Sequence, residues 1–226
     1  MSTLLENIRF LAAAYPQLID PELLNLLGNG ATPDLNQLIS LSDKSGYPVD
    51  RLLRDNLQKR AEVPTDLKLV VFDIDGVMTD GGMCYTESGD EFKKFNAKDG
   101  LGVRALKRAG FETGIISHGI NTGLIGRRAA TLNITRVFAG SRPKEDVLLE
   151  WCNELGISSD QTAYIGDDIN DLPIINIAGF TACPADAVEK VRNTVDVVLR
   201  LNGGAGCVRE WIDTYLIPGA ISNKPQ

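Results

Sequence analysis

The chain has 226 residues, 43% of them apolar, and a formal net charge of -7. That length accommodates one domain with a substantial core, or one domain with a smaller appendage. An acidic balance without a basic tract argues against a general binder of nucleic acid or of anionic membranes, and leaves any phosphorylated metabolite to be held by local cations and a metal.

Four cysteines, Cys84, Cys152, Cys183 and Cys207, are scattered without a CxxC pair or zinc spacing, which predicts reduced thiols and a cytoplasmic protein. The opening MSTLLENIRFLAAAYPQL has no basic stretch ahead of a long apolar segment, and no apolar run reaches bilayer-spanning length. Neither secretion nor membrane insertion is expected.

Residues 1–65 form an expected helical extension. Leu4, Leu5, Ile8, Leu11 and Ala12 recur at helical spacing, Pro21 opens a second helix through Leu27, and Leu35, Leu38 and Ile39, then Val49 to Leu57, continue the pattern. Gly28, Gly30, Pro33, Gly46 and Pro48 divide this region into four or five short helices. Nothing in it points to chemistry, and it reads as an arm packed on its own core or on a neighbouring subunit.

From Asp66 to residue 217 the texture alternates strand and helix. The apolar run Leu69 to Phe72 is a buried strand that ends at Asp73, Asp75 and Gly76. Met83 to Thr86 and Glu91 to Phe95, around the turn Ser88-Gly89-Asp90, predict a two-stranded hairpin. It is too short for a core of its own and must lie on the parent domain or meet another subunit's hairpin. Asp99 to Ala109 follows as an amphipathic helix with Leu101, Val103, Leu106 and Ala109 as apolar positions, Asp99 as its N-cap and Gly110 as its stop. Next come a strand over Phe111 to Ile116, then Ser117, His118 and Gly119, a helix around Asn121 to Leu132, and a strand over Arg136 to Ala139. Pro143 opens a helix with Val147, Leu148, Trp151 and Leu155 inward and Gly156 as stop. Thr162 to Ile165 is a second buried strand ending in acid, GDDINDLP. A short helix at Leu172 to Ile177, a strand at Phe180 to Cys183, a helix at Ala185 to Val191, a strand at Val195 to Leu199 and a closing helix at Cys207 to Leu216 complete the series; residues 218–226 form a tail. This rhythm calls for an α/β fold with a mostly parallel sheet covered by helices on both faces.

In such a sheet the ligand crevice lies at the carboxyl ends of the strands. Asp73 and Asp75 gathered there with Asp167, Asp168 and Asp171 would repel strongly without a cation, and an all-oxygen ligand set suits Mg2+ better than zinc. Mg2+ also lets a phosphate approach a carboxylate, and Asp can accept a phosphoryl group covalently. If the strand pleat continues, Asp73 and Asp75 point to one side, so one attacks phosphorus while the other protonates the leaving oxygen and later activates water. A bare DxD is equally a polar loop boundary; its place at an apolar strand end, with GDDxxD at a later one, makes the combination specific.

These motifs, DIDGVMTDG, GDEFKKFNAKDGLGVRALKRAG, AYIGDDINDLP and the terminal NGGAGCVRE, resemble those of the haloacid-dehalogenase-like phosphatases, and more closely their small capless subfamily of 3-deoxy-D-manno-octulosonate 8-phosphate and nonulosonate 9-phosphate phosphatases. The resemblance covers Asp66 to about Leu216 and implies a Rossmann-like three-layer sandwich with a hairpin insertion and no large cap domain. It implies Asp73 as nucleophile, Asp75 as general acid and base, and Mg2+ ligated by Asp73, the Asp75 backbone carbonyl and Asp167, with Asp168 and Asp171 close behind. Ser117 would bond a phosphoryl oxygen, and Lys144 would neutralise phosphate and nucleophile. On its own, Lys144 is a first-turn helix lysine placed against the helix dipole.

Gly76 and its neighbouring amides would form an anion nest. Asn96, Lys98, Asp99 and Gly100 would border the site entrance. The resemblance also implies a homotetramer whose hairpins meet at its centre, with Gly203, Gly204, Gly206, Arg209 and Glu210 approaching an adjacent site. Arg209 suits a substrate carboxylate geometrically, or simply pairs with Asp213 at i,i+4, worth ~0.2–0.5 kcal/mol. One departure bears on substrate: where relatives carry Thr-Gly-Arg, this chain has Ser117-His118-Gly119, so His118, Arg127 or Arg128 stands as a replacement for the missing guanidinium. The expected substrate is an acidic sugar phosphate of octulosonate or nonulosonate type. Another small phosphorylated metabolite, phosphoryl transfer to a sugar, and a structural or regulatory oligomerisation module are the alternatives.

Overall fold

The computed structural model describes residues 2–28, 31–45, 47, 49–54, 63–119 and 121–218. They belong to two compact units, Met1–Ala61 and Glu62–Gln226. The first holds helices α1 (Ser2–Ala14), α2 (Pro21–Gly28), α3 (Leu35–Ser45) and α4 (Val49–Arg54). Their apolar stripes meet in a small core of Ile8, Leu11, Ile19, Leu23, Leu41 and Leu52, and the buried Asn7 side chain donates to the Leu52 carbonyl at 3.0 Å. Asp34 and Gln37 cap the start of α3 reciprocally, each side chain accepting from the other's backbone N–H at 2.8 and 2.9 Å. Gly30, Gly46, Pro48, the expected end of the fourth helix at Leu57 and the tail from residue 219 lie outside the described residues.

The second unit holds strands β1 (Leu69–Phe72), β2 (Cys84–Tyr85), β3 (Glu91–Phe92), β4 (Glu112–Ser117), β5 (Arg136–Ala139), β6 (Thr162–Ile165), β7 (Phe180–Cys183) and β8 (Val197–Val198). Its helices are α5 (Ala97–Arg108), α6 (Thr122–Leu132), α7 (Lys144–Leu155), α8 (Leu172–Ile175), α9 (Glu189–Arg192) and α10 (Cys207–Trp211), the last running on into a wider π-type turn, Ile212–Leu216. Six strands form one sheet in the order β5-β4-β1-β6-β7-β8, every neighbouring pair parallel; β2 and β3 pair antiparallel as a separate hairpin. The order steps outward from β1 in both directions, so the switch point lies between β1 and β6, where a doubly wound fold opens its ligand crevice.

Strand alternation fills both faces. Leu69 and Val71 pack with Val147, Leu148, Trp151 and Ile174 of α7 and α8, while Phe72 meets Trp211 of α10 edge to face at 6.3 Å between centroids. Gly114 of β4 lets Trp151 lie on the sheet: a Cβ there would come within 2.5 Å of the indole. No described helix is long and apolar enough to cross a membrane.

Three local expectations are corrected. Asn96, not Asp99, caps α5: it is extended (φ -88°, ψ 131°) and its side chain accepts from the Lys98 N–H, so the helix starts at Ala97 and Asp99 is buried in its first turn. Leu101 faces solvent at 53% exposure, while Gly100 and Gly102 occupy the inward positions. The helix expected over Ala185 to Val191 is confined to α9, because the Ala185 N–H bonds the Leu201 carbonyl and ties that stretch to the chain beyond β8.

Candidate active site

The carboxyl ends of β1 and β6 bring their acidic motifs together at the switch point. Asp73, one residue past β1, is only 5% exposed, and its N–H extends the ladder to the Ile165 carbonyl at 3.1 Å. Ligand oxygens of Asp73, Asp167 and Asp171 lie within 4.8 Å of one another. Gly76 makes this possible: with φ +83° it turns the chain, and a Cβ there would sit 2.0 Å from Asp167 Oδ2.

Lys144 enters from the first position of α7, after Pro143. Fully buried, its Nζ lies 3.1 Å from Asp73 Oδ1 and 2.5 Å from Asp171 Oδ1, and donates to the Tyr164 hydroxyl at 3.2 Å. Tyr164 in turn donates to Asp171 Oδ1 at 2.6 Å. The other Asp171 oxygen accepts from the backbone N–H groups of Asp167 and Asp168 at 2.8 and 3.1 Å. Asp171 is thus fully engaged in holding Lys144 and the loop after β6. Asp167 Oδ1, by contrast, is buried without a hydrogen-bond partner among the described residues.

Electrostatics follow from this crowding. Burial pushes the Asp73 carboxyl up to about 7, against the pull of Lys144 and with the push of Asp171. Burial, with Asp73 and Asp171, raises Asp167 to about 8. Burial alone would lower the Lys144 ammonium, but Asp73 and Asp171 outweigh it and hold it above its ordinary value. An unpaired buried carboxylate oxygen beside a second carboxylate, with all-oxygen donors, fits a hard divalent cation held chiefly by Asp73 and Asp167.

Asp75 lies outside that cluster. The strand ends at Phe72, before the pleat could carry both carboxylates to one spot; Asp75 Oδ1 is instead 2.6 Å from Lys93 Nζ and 3.4 Å from Thr79 Oγ1. Asp168 is also apart, exposed and accepting from the Ile169 N–H at 2.6 Å. Ser117 is buried at the end of β4, its Oγ accepting from the Gly119 N–H at 3.0 Å. A Cβ on Gly119 would lie 3.1 Å from Ser117 Oγ and 3.3 Å from Asp75 Oδ2, so these two oxygens border the same space.

His118 is exposed and joins two loops: its Nε2 lies 3.1 Å from the Arg142 carbonyl and its Nδ1 3.1 Å from the Asn170 amide. Because a carbonyl can only accept, Nε2–H donates, leaving Nδ1 to accept from Asn170. Neither arginine of α6 stands beside it. Arg128 lies over the Phe95 ring at 4.8 Å and donates to the Asn96 carbonyl at 3.0 Å, and Arg127 is exposed. Asp99 and Gly100 pack against Arg128, Leu132 and α10 rather than lining an opening: Asp99 Oδ1 accepts from the Arg209 N–H at 2.8 Å. Burial raises the Asp99 carboxyl to about 6, against the Arg209 N–H and Arg128. Lys98 is exposed. The Arg209 guanidinium pairs with Asp213, the i,i+4 alternative.

The terminal glycines pack on the chain's own site. Gly204 donates to the Val77 carbonyl at 3.0 Å, Asn96 Nδ2 donates to the Gly204 carbonyl at 3.1 Å, and a Cβ on Gly203 would lie 2.0 Å from the Gly76 carbonyl oxygen. Sequence reasoning missed Lys93, Tyr164 and Asn170. For Lys93 the signal was present in the alternation of Glu91 to Phe95.

Residues 129–210 match the haloacid dehalogenase-like hydrolase family. The chain is 39% identical over 151 residues to the 3-deoxy-D-manno-octulosonate 8-phosphate phosphatase of Haemophilus influenzae, covering 67% of this chain and 83% of that one. Among solved structures, the cobalt-bound phosphatase of that organism matches at 38% identity and a TM-score of 0.64, over 67% of this chain and 88% of that one. The Moraxella catarrhalis phosphatase, solved with magnesium, phosphate and KDO, matches at 36% identity and a TM-score of 0.65, over 72% and 90%. Parallel switch-point fold, acidic cluster with buried lysine, and a likeness that spans two thirds of this chain and most of its relatives agree: the chain belongs to the haloacid dehalogenase-like hydrolases, in the capless group that resembles the octulosonate phosphatases.

Proposed function

We infer that this protein is a magnesium-dependent phosphomonoester hydrolase for a sugar-acid phosphate, working through an aspartyl phosphate on Asp73. The observation that carries it is the buried Lys144 between Asp73 and Asp171 beside an Asp167 oxygen that no group among the described residues satisfies. Bound magnesium supplies charge that offsets the repulsion between an anionic nucleophile and an anionic phosphate. Asp73 Oδ attacks phosphorus; the bond to the ester oxygen breaks, and that oxygen takes the Asp75 proton. Water then attacks the aspartyl phosphate, returns a proton to Asp75 and frees inorganic phosphate. Lys144, pinned by Tyr164 and Asp171, keeps its ammonium on the nucleophile throughout, a preorganised charge where negative charge grows. Ser117 and the Gly76 turn are assigned to the phosphoryl oxygens.

The substrate class rests on the named activity of the relatives. We assign His118 to the entrance, since it joins the loops that carry Lys144 and Asp167. The test is phosphate release from eight- and nine-carbon keto sugar acid phosphates beside neutral sugar phosphates, with the parent and H118A. Preference for the acidic sugars, weakened in H118A, supports the reading; equal turnover of neutral sugar phosphates removes the substrate class and leaves the chemistry. We also propose a homotetramer joined through the hairpins, whose Met83, Tyr85 and Phe92 are 59%, 59% and 56% exposed. The helices of residues 1–61 are proposed as an extension outside the catalytic unit.

A further inference from the structure

Beyond β3 the chain keeps the alternation of a strand: Glu91, Lys93 and Phe95 are half-buried, while Phe92 and Lys94 are exposed. The inward Lys93 side chain is 3% exposed, with its Nζ 2.6 Å from Asp75 Oδ1 and 2.9 Å from Glu91 Oε1. Lys93 most strongly, and the Asn121 side chain less so, favour the ionised Glu91 carboxylate, and Asn121 caps α6 just after the Ser117 loop. One face of the hairpin thus grips Asp75, whose other oxygen lies beside the second motif loop. Lys93 and Thr79 take Asp75 Oδ1, whereas Oδ2 faces the space beside Gly119 and Ser117, where the absence of a side chain on Gly119 leaves room.

We propose that Lys93 is a positioning residue for the proton transfer: held by the hairpin, it fixes Asp75 Oδ1, aims Oδ2 at the leaving oxygen, and balances the charge Asp75 acquires. This deepens the phosphatase reading and rests on it. In the first half-reaction Asp73 forms its bond to phosphorus, the bond to the ester oxygen breaks with its electron pair on that oxygen, and the oxygen takes the Asp75 proton. A neutral alcohol departs and the Asp75 carboxylate remains against the Lys93 ammonium. Water's attack later restores the proton. A hairpin without its own core therefore acts within the site of its own chain, in addition to presenting an outer apolar face.

Leaving-group dependence tests this. A sugar alkoxide must be protonated as it leaves, but p-nitrophenolate departs as the anion, and kcat/KM reports only the steps up to that departure. Lys93→Met is expected to lower kcat/KM by about 10²-fold on a sugar phosphate that the parent turns over, and by less than about threefold on p-nitrophenyl phosphate. Lys93→Arg should recover most of the loss, and Glu91→Gln, which keeps the lysine, should show the same split in smaller size even if Lys93→Met does not fold. Equal losses on both esters in the folded variants, or a rise in KM with kcat unchanged, would overturn the assignment while leaving the phosphatase intact. A parent that hydrolyses neither ester overturns the phosphatase reading itself, and this one with it.

Discussion

Lys144 and Asp167 define the site from opposite sides: one buried charge with every partner it can use, and one buried carboxylate oxygen with none. The consequence is a pH dependence of stability in the cation-free protein. Asp73 at about 7 and Asp167 at about 8 both stand above the ordinary 3.8. The folded state therefore holds protons that the unfolded chain has released; its advantage is complete below the unfolded value and is lost as pH rises through the folded ones. Thermal unfolding without divalent cations should show Tm falling between about pH 5 and pH 8, and magnesium, which favours the ionised carboxylates, should raise Tm more at pH 8 than at pH 5. An equal magnesium shift at both would contradict this account of the cluster. At this scale the sequence carried the gathering of the Asp73 motif, the lysine and the second acidic motif, because each sits where an apolar run or helix start ends abruptly. It did not carry the separation of Asp75 from Asp73, since the pleat stops at Phe72, nor the Tyr164 hydroxyl, which reads as one more apolar strand position.

Element by element, strands bounded by charge and glycine were legible and helix starts were less so. Arg136 to Ala139 and Thr162 to Ile165 are found with the expected limits. The start of α5 was misread because Asn96 and Asp99 are both good capping residues, and only the backbone shows that Asn96 is the extended one. The terminal glycine segment also makes a contact that was not foreseen: Gly203 and Gly204 lie against the Gly76 turn of their own chain, across more than a hundred residues, which no local pattern encodes. A Cβ on Gly203 would strike the Gly76 carbonyl at 2.0 Å, so Gly203→Ala must push the turn that makes room for Asp167. Displacement on the order of 1 Å is expected to cost about 10²-fold in kcat/KM, with far-UV circular dichroism unchanged. Full activity in Gly203→Ala would show that the segment does not position the turn.

For the whole molecule, the doubly wound strand order explains why residues nearly a hundred positions apart form one site: β1 and β6 are neighbours at the switch point, and their carboxyl ends share the crevice. The exposed hairpin residues Met83, Tyr85 and Phe92 are the proposed meeting surface of the tetramer. Sedimentation should give four chain masses for the parent and a smaller species for a Tyr85→Glu, Phe92→Glu double variant; a monomeric parent would remove the tetramer. Covalent chemistry at Asp73 is tested by phosphate release from a sugar phosphate by the parent and by a folded Asp73→Asn variant, each with magnesium and with chelator. Release by the parent with magnesium alone, and none from Asp73→Asn under either condition, is the predicted result; release by Asp73→Asn at the parent's rate, or by the parent in chelator, would contradict it.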